Sequence, residues 1–412
     1  MKILLITARF YPEPFTITNI AEELAKRGHE ITVLTGRPNS GKWGIYPGYK
    51  NVKEEEYKGM RIIRLKEIPR KKGTIGLIIN YLSIRKIFSK ALRKMNEKFD
   101  VVFSHVMSPI FVLNGVSDYC KKTNTPHFHY GFDLWPESLV ATGYSKRKGF
   151  LFNQIKKVSI KNYQGCDAIA FASPSAENYL KEYLNLKIDF KHIYQPCLTK
   201  KPLISFVSDH VYKKNEKLHI LFCGTIAKFN HLDLMINALD TDIFKSKVVF
   251  DIVGSGSDKE RIEKIVAEKS LNETVVFHGR VSSDLTKEYY KQADVLFVPL
   301  FYNSATSLMI PQKLIEYLMY SRPIIGMIKG DGADLLKKSS ELNIISDQTV
   351  ESLRDSIMKM ANMPVEVLEQ CGKENRDYID NNPCFSIEYI CDEIEKSLFA
   401  LKSKNESNKK DE

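Results

Sequence analysis

One carboxylate and the loop before it form the part of this sequence best equipped for chemistry. Glu316 stands in PQKLIEYLMY, whose apolar spacing predicts a helix opening near Pro311. A Pro in the first turn gives up no needed hydrogen bond, because the first helical N–H groups are unpaired in any case. Those donors and the positive end of the helix dipole suit a diphosphate. Glu316, further along, could accept hydrogen bonds from a ribose diol, and Lys313, one turn before it, adds a cation. The preceding loop carries Ser304, Thr306 and Ser307, hydroxyls fit to meet a sugar. Together these are the parts of a nucleotide-sugar site. A surface or salt-bridged carboxylate is the plainer reading of Glu316, although the helix around it is otherwise apolar.

Further candidates stand where strands end. VVFDIVGSGSDKERIEKI is a strand, a turn and a helix in which Gly254 and Gly256 could admit a phosphate or ribose to the backbone. The dinucleotide fingerprint is incomplete, since Lys259 occupies the third Gly position, and a tight strand-to-helix turn is the alternative. Gly224, Thr225 and Lys228 belong to a second such loop, and VVFHGRV ends at Gly279 and Arg280, where a base could lie on the backbone. In the first half, FDVVFSH ends at His105, and PHFHYGFDLWPES carries His127, His129, Asp133 and Glu137. His127 and His129 alternate with Phe128 and share one sheet face, as cleft or as core histidines. Asp133 suits acceptor contact or catalysis, and equally an N-cap ahead of LWPESL. Asp331 and Asp334 read as a Gly-rich turn and helix cap. With no DxD at a strand end, no metal is expected.

These residues need a scaffold of alternating strands and helices. KILLIT, HEITVLTG, MRIIRLK, FDVVFSH, TPHFHYGFD and CDAIAFAS are the strands of the first half, with a long polar stretch from Arg37 to Tyr57. After the Lys-rich connector VYKKNEK the pattern restarts with LHILFCG, VVFDIVG, ETVVFHG, ADVLFVPL and RPIIGMI. Apolar strands alternating with helices predict two Rossmann-like, doubly wound α/β domains facing across a cleft at the strands' carboxyl ends. The expected domains are 1–205 and 206–384, then a helix over 385–403 returning to the N-terminal domain with Ser386 as N-cap, then a frayed tail, 404–412.

Composition narrows the classes. A chain of 412 residues exceeds one ordinary core, and 43% hydrophobic with 27% charged residues is globular. No apolar run reaches the roughly 18 residues of a spanning helix, and MKILLITARFY reads as a first strand, not a signal peptide. Seven cysteines without a CxxC suit reduced core thiols. A net charge of +11 favours anionic partners, but no nucleic-acid recognition motif is present, and none is expected to bind. From Arg70 to Lys98, nine Lys and Arg interleave with Leu, Ile, Tyr and Phe. Such a stretch can lie on an anionic bilayer, or be the solvated basic face of an ordinary helix.

The order GSGSDKERIE, FHGRVSSDLTKEYYKQADVLFVPL, PQKLIEYLMYSRPIIG resembles the donor domain of family 4 retaining glycosyltransferases of the GT-B fold. YPEPFTITNIAEELAKRGHEITVLTGRPN, PGYK and DLWPES extend the resemblance to the first half, nearest the bacterial branch that builds O-antigen, capsule and colanic acid. The resemblance implies transfer of a hexosyl or N-acetylaminosugar group from a nucleotide donor, expected to be UDP-linked, to a polyprenyl-diphosphate-linked saccharide. It also implies retention of configuration, no cofactor, and a peripheral place on the cytoplasmic face of the plasma membrane.

By resemblance, Glu316 matches the second Glu of an E-x7-E pair and holds the ribose. The first Glu falls on Leu308, so Ser304, Thr306 and Ser307 would substitute at the donor sugar. No Arg follows Gly224, and Asn230 or His231 stands where a Lys is expected. Lys228, or Lys313 in a Pro-x-Lys pattern of this branch, would then neutralise the diphosphate. The donor set is thus Gly224, Thr225, Lys228, Gly254, Gly256, Arg280, Ser304, Thr306, Ser307, Leu308 and Glu316. Asp133, Lys313 and Glu316 would be catalytic, and His105, His129, Asp133 and Glu137 would meet the acceptor. A nucleotide-sugar 2-epimerase and a catalytically lapsed, binding-only relative are the alternatives.

Overall fold

The computed structural model describes residues 1–39, 44–71, 73–198, 217–301 and 306–408. It divides into two compact units. The first comprises Met1–Pro136, Arg147–Pro196 and Ser386–Glu412, and the second Glu137–Lys146 and Cys197–Phe385. The predicted boundary at 205/206 and most of the connector VYKKNEK lie outside the described residues.

The first unit is built on β1 (Lys2–Thr7), β2 (Glu30–Gly36), β3 (Glu54–Tyr57), β4 (Met60–Leu65), β5 (Val101–Val106), β6 (His127–Gly131), β7 (Ala168–Phe171) and β8 (Asp189–His192). Their order across the sheet is β3-β4-β2-β1-β5-β6-β7-β8, parallel except for the antiparallel β3–β4 pair. Every residue of β5 and β6 is buried, including Ser104, His105, His127 and His129. The polar stretch before residue 57 hides β3, which sequence reading passed over. Its residues are EEEY, and a hairpin through Lys58 and Gly59, both at positive φ, pairs it with β4. CDAIAFAS is likewise not the last strand of this half, since β8 follows it. DFKH is too short and polar to signal a strand alone.

The second unit carries β9 (Leu218–Cys223), β10 (Val248–Val253), β11 (Val275–Gly279), β12 (Val295–Pro299), β13 (Ile324–Met327) and β14 (Ile344–Ile345). All are parallel, in the order β11-β10-β9-β12-β13-β14. Crossing from β9 to β12 reverses the winding, so the loops after these two strands flank a topological switch point, where α/β sheets bind ligands.

The closing helix, Ile387–Asn408, joins the core of the first unit through Ile390, Cys391, Ile394, Leu398 and Leu401. Ser386 caps it, its Oγ accepting from the Tyr389 amide at 3.1 Å. Arg27 donates to Asp392 at 2.6 Å, and Glu395 lies 2.6 Å from His29 Nε2, fixing this helix beside Thr16–Lys26. The helix therefore runs past the predicted end at 403, and residues 404–408 are helical, not frayed. Cys120, Cys166, Cys371 and Cys391 are buried free thiols.

Candidate active site

The loop after β9 is the centre of the second unit's candidate site, and its backbone is held by the loop after β10. Gly224 N donates to the Val253 carbonyl at 2.9 Å, Ile226 N to Ser255 at 3.0 Å, and Gly254 N to Gly279 at 2.7 Å. A Cβ on Gly254 would lie 1.9 Å from the Gly224 oxygen, and one on Gly256 would lie 2.0 Å from the Ile226 oxygen. The Cβ positions of these glycines are thus filled by this chain's own backbone. Loop-on-loop packing is a sufficient physical cause for glycine at both positions, as the tight-turn reading has it.

Lys313 reaches the same loop from a different element. The helix Gln312–Leu318 starts with Pro311 in the N-cap position. The Lys313 ammonium sits 4.3 Å from the centre of the Phe222 ring, on the last turn of β9, and 3.2 Å from where a Gly224 Cβ would be. A side chain at position 224 would displace it. Phe222 is fully buried, and sequence reading did not single it out. Its signal was faint: an aromatic two residues before a strand-end Gly. Tyr317, also fully buried, ties the helix to the strand end, accepting from the Cys223 amide at 2.9 Å and donating to the Cys223 carbonyl at 3.2 Å. Lys313 and Tyr317, four residues apart, share one helix face turned toward Gly224.

Burial sets the electrostatics here. Lys313 keeps some contact with solvent, but its desolvation pulls the ammonium down to about 8, against the opposing pull of the Cys223 thiol and Glu316. Burial pushes Glu316 above the usual carboxylate range, opposed by a hydrogen bond from Gln312 and by the Lys313 charge. Among the described residues Lys313 forms no ion pair. A desolvated cation and a desolvated carboxylate one turn apart, beside a strand-end Gly, are poised for a ligand that supplies an anion to one and donors to the other.

The remaining donor candidates separate. Thr225 and Lys228 are exposed on the loop after β9, and Arg280 is exposed after β11. Ser307 and Leu308 are half-buried, and the Ser307 carbonyl packs against Gly330, where a Cβ would meet it at 2.0 Å. Thr306 is 2% exposed and its hydroxyl donates to the Phe301 carbonyl at 2.7 Å. Its hydroxyl proton is therefore committed to the loop. Ser304 lies outside the described residues. Asn230 and His231, in the expected Lys position, are also structural: Asn230 Nδ2 donates to the Thr225 carbonyl at 2.6 Å, and His231 stacks on Phe301 at 4.2 Å. Gly330 occupies the N-cap position of Asp331–Ser339, with Asp331 and Asp334 in the first turn, as a dipole favours.

In the first unit, Asp133 follows β6. The nearest helix, Ser138–Ala141, has Glu137 in its N-cap position, so Asp133 does not cap it. Burial alone pushes its carboxyl up to about 7. Glu137 is fully buried and groups with the second unit. His127 and His129 do share a face: His127 Nε2 and His129 Nδ1 lie 2.7 and 2.9 Å from Ser104 Oγ. His129 is fully buried against Tyr163 and Phe171. His105 is 1% exposed, bonded to the Tyr130 carbonyl at 2.9 Å and wedged against Phe132. The core reading therefore replaces acceptor contact for both rings. Desolvation holds His105 near 4 and His129 well below its ordinary value, so both are neutral.

Sequence reading also missed a buried cluster at the ends of β2 and β4. Glu67, 3% exposed, accepts from the Arg37 amide at 3.0 Å and Asn39 Nδ2 at 2.7 Å, while Glu13 accepts from the Asn39 amide at 2.9 Å. The cluster anchors the strand-end loops of this unit; isolated polar residues in a loop carry no sequence signal of it.

Two family matches span most of the chain. Residues 15–195 match the family described as Glycosyltransferase Family 4, and residues 217–363 match Glycosyl transferases group 1. This chain is a glycosyltransferase of the GT-B fold. Among its relatives, an uncharacterised glycosyltransferase of Methanocaldococcus jannaschii is 21% identical over 324 residues, covering 73% of this chain and 75% of that one. The alpha-monoglucosyldiacylglycerol synthase of Acholeplasma laidlawii is 25% identical over 329 residues, covering 75% of each. The fold matches sucrose-phosphate synthase of Thermosynechococcus elongatus with a TM-score of 0.72 at 18% identity, covering 97% and 99% of the two chains. It also matches Anabaena HepE, solved with UDP and glucose, with a TM-score of 0.66 at 12% identity over 97% and 100%. In this glycosyltransferase the Arg expected after Gly224 is absent, and Lys313 places its ammonium against that same Gly.

Proposed function

We propose that this glycosyltransferase moves a hexosyl or N-acetylaminosugar group from a UDP-sugar to a polyprenyl-diphosphate-linked saccharide in surface-polysaccharide assembly, with retention. The observation that carries the donor half is the Lys313 ammonium at Gly224, one turn from Glu316. Glu316 takes the ribose diol, and Lys313 takes the diphosphate in place of the missing Arg. The sugar C1–diphosphate bond breaks as the acceptor oxygen bonds to C1 on the same face, and the acceptor proton passes to the leaving diphosphate. Lys313 offsets the negative charge gained there. Asp133 is assigned to the acceptor. HepE, solved with UDP and glucose, supports the base, and the diacylglycerol-linked name of the Acholeplasma relative supports a lipid acceptor.

The membrane half rests on the helix Gly73–Lys94. Leu77, Ile84, Phe88 and Leu92 are buried, while Ile75 is 76% exposed and Ile78, Ile79 and Leu82 about half exposed, followed on that outer side by Arg85, Lys86, Lys90, Arg93 and Lys94. An apolar stripe running into a basic one suits the anionic, cytoplasmic surface of a bilayer. Among the described residues no helix is long and apolar enough to cross a membrane.

Thermal-shift screening against UDP-, GDP-, dTDP- and ADP-sugars tests the donor assignment. Stabilisation by the UDP series, lost in Glu316→Ala, is expected; stabilisation by another base overturns UDP. Leu308 in place of a sugar-binding Glu favours a second, binding-only reading. Donor binding without turnover on any lipid-linked acceptor would select it.

A further inference from the structure

The outer face of the helix Gly73–Lys94 also borders a hollow that the donor chemistry does not use. Arg85, Ser89 and Arg93, spaced at four residues, line a cavity of about 240 Å³ together with Asp118 and Lys161. All its lining residues belong to the first unit. The helix Val116–Thr123 begins at this hollow with no side chain capping its first N–H groups.

Arg27, Arg61, Arg261 and Arg376 each rest on a carboxylate. Among the described residues Arg85 and Lys161 form no ion pair, and Arg93 makes one long bond, Nε to the Ser89 carbonyl at 3.3 Å. Three cations and one carboxylate leave a net formal charge of +2 around one space. Like charges lining one space favour the entry of an anion. Two guanidinium groups favour a phosphate, whose oxygens match their paired donors. The volume is below the roughly 300–1,000 Å³ of drug-sized sites and suits a phosphate bearing a small alcohol.

The position names the source of that phosphate. Ile78, Ile79 and Leu82, exposed on the same helix, lie one to two turns before Arg85. A bilayer that receives this apolar stripe brings its headgroups to the basic half. We infer that the hollow formed by Arg85, Arg93 and Lys161 is a headgroup pocket for an anionic phospholipid. The inference rests on the membrane reading above and adds to it a specific pocket.

The test compares the full chain with two variants of equal charge loss, R85Q/R93Q/K161Q in the pocket and K86Q/K90Q/K94Q outside it, by flotation. The vesicles are phosphatidylcholine alone or mixed with phosphatidylglycerol, and circular dichroism verifies folding. The parent should float with the mixed vesicles. The pocket variant should bind them about tenfold more weakly than the control variant, more than dispersed charge explains. Equal weakening of both variants, or full binding by the pocket variant, overturns the pocket while leaving the membrane reading intact. A parent that floats with neither vesicle overturns the membrane reading and the pocket with it. Inorganic phosphate that raises the parent's melting temperature but not the pocket variant's, with equal flotation of both variants, makes this a free-phosphate site and overturns the lipid assignment.

Discussion

Lys313 carries a pH signature that its assigned role makes visible. With its ammonium lowered to about 8 by desolvation, the cation is present below pH 8 and lost above it. If it neutralises the diphosphate, kcat/KM for the donor falls tenfold per pH unit above about 8. Lys313→Arg should move that alkaline limb beyond the measurable range, and Lys313→Met should cost about 10²–10³ in kcat. Lys313→Met should also raise the melting temperature of the ligand-free protein, because it removes a desolvated charge. Loss of rate without loss of the alkaline limb would show that another group titrates. Asp133 runs the other way. Its folded carboxyl is raised to about 7, above the unfolded value, so the native state binds more protons between them. The stability it contributes is full below about pH 4 and is lost as pH rises through 7. Asp133→Asn should flatten that slope in urea melts between pH 4 and 8; an unchanged slope would refute the raised carboxyl.

At the scale of elements, the loops after β9 and β10 behave as one piece because two glycines let backbone meet backbone. Gly254→Ala places a methyl on the Gly224 carbonyl and on a φ of +143°, a conformation that strains any side chain. A loss of about 2–4 kcal/mol is expected in chemical denaturation, together with weaker nucleotide stabilisation. An Ala variant with parental stability would show that the loop relaxes without cost. Such pairings lie beyond what sequence reading can settle. Gly254 and Gly256 were visible as a flexible turn, but whether a ligand or the protein's own chain fills the bared space depends on where another loop lies. Thr306 is similar: a hydroxyl in a polar loop, turned inward by the nearby Phe301 carbonyl.

The whole molecule presents one more consequence of helix Gly73–Lys94. Ile75→Ser/Ile79→Ser/Leu82→Ser should abolish flotation with anionic vesicles while preserving nucleotide stabilisation, since these residues are exposed in the first unit and the donor residues belong to the second. Retained flotation would assign the stripe to another partner. The chain's course matters here too: after Cys197–Phe385 of the second unit it returns to the first, so Ile387–Asn408 completes the earlier core. The amphipathic pattern of that helix was legible, and its capping Ser386 with it. Its partners, Arg27 and His29, are more than 350 residues away and leave no local trace.

By itself the sequence determined the two α/β units, the course of their main strands and the family, because apolar runs, turn residues and motif order are local and survive without a partner in space. It also marked Glu316 and Lys313, whose spacing on one helix is a local property. Only the tertiary structure decided that Lys313, not Lys228, is the cation lying against Gly224, on a Phe222 ring from another element. It likewise placed His105 and His129 in the core and left Arg85, Arg93 and Lys161 around one hollow. In each case the deciding quantity is the burial or proximity of groups far apart in the chain, and desolvation and Coulomb energy depend on distance in space, not on separation in sequence.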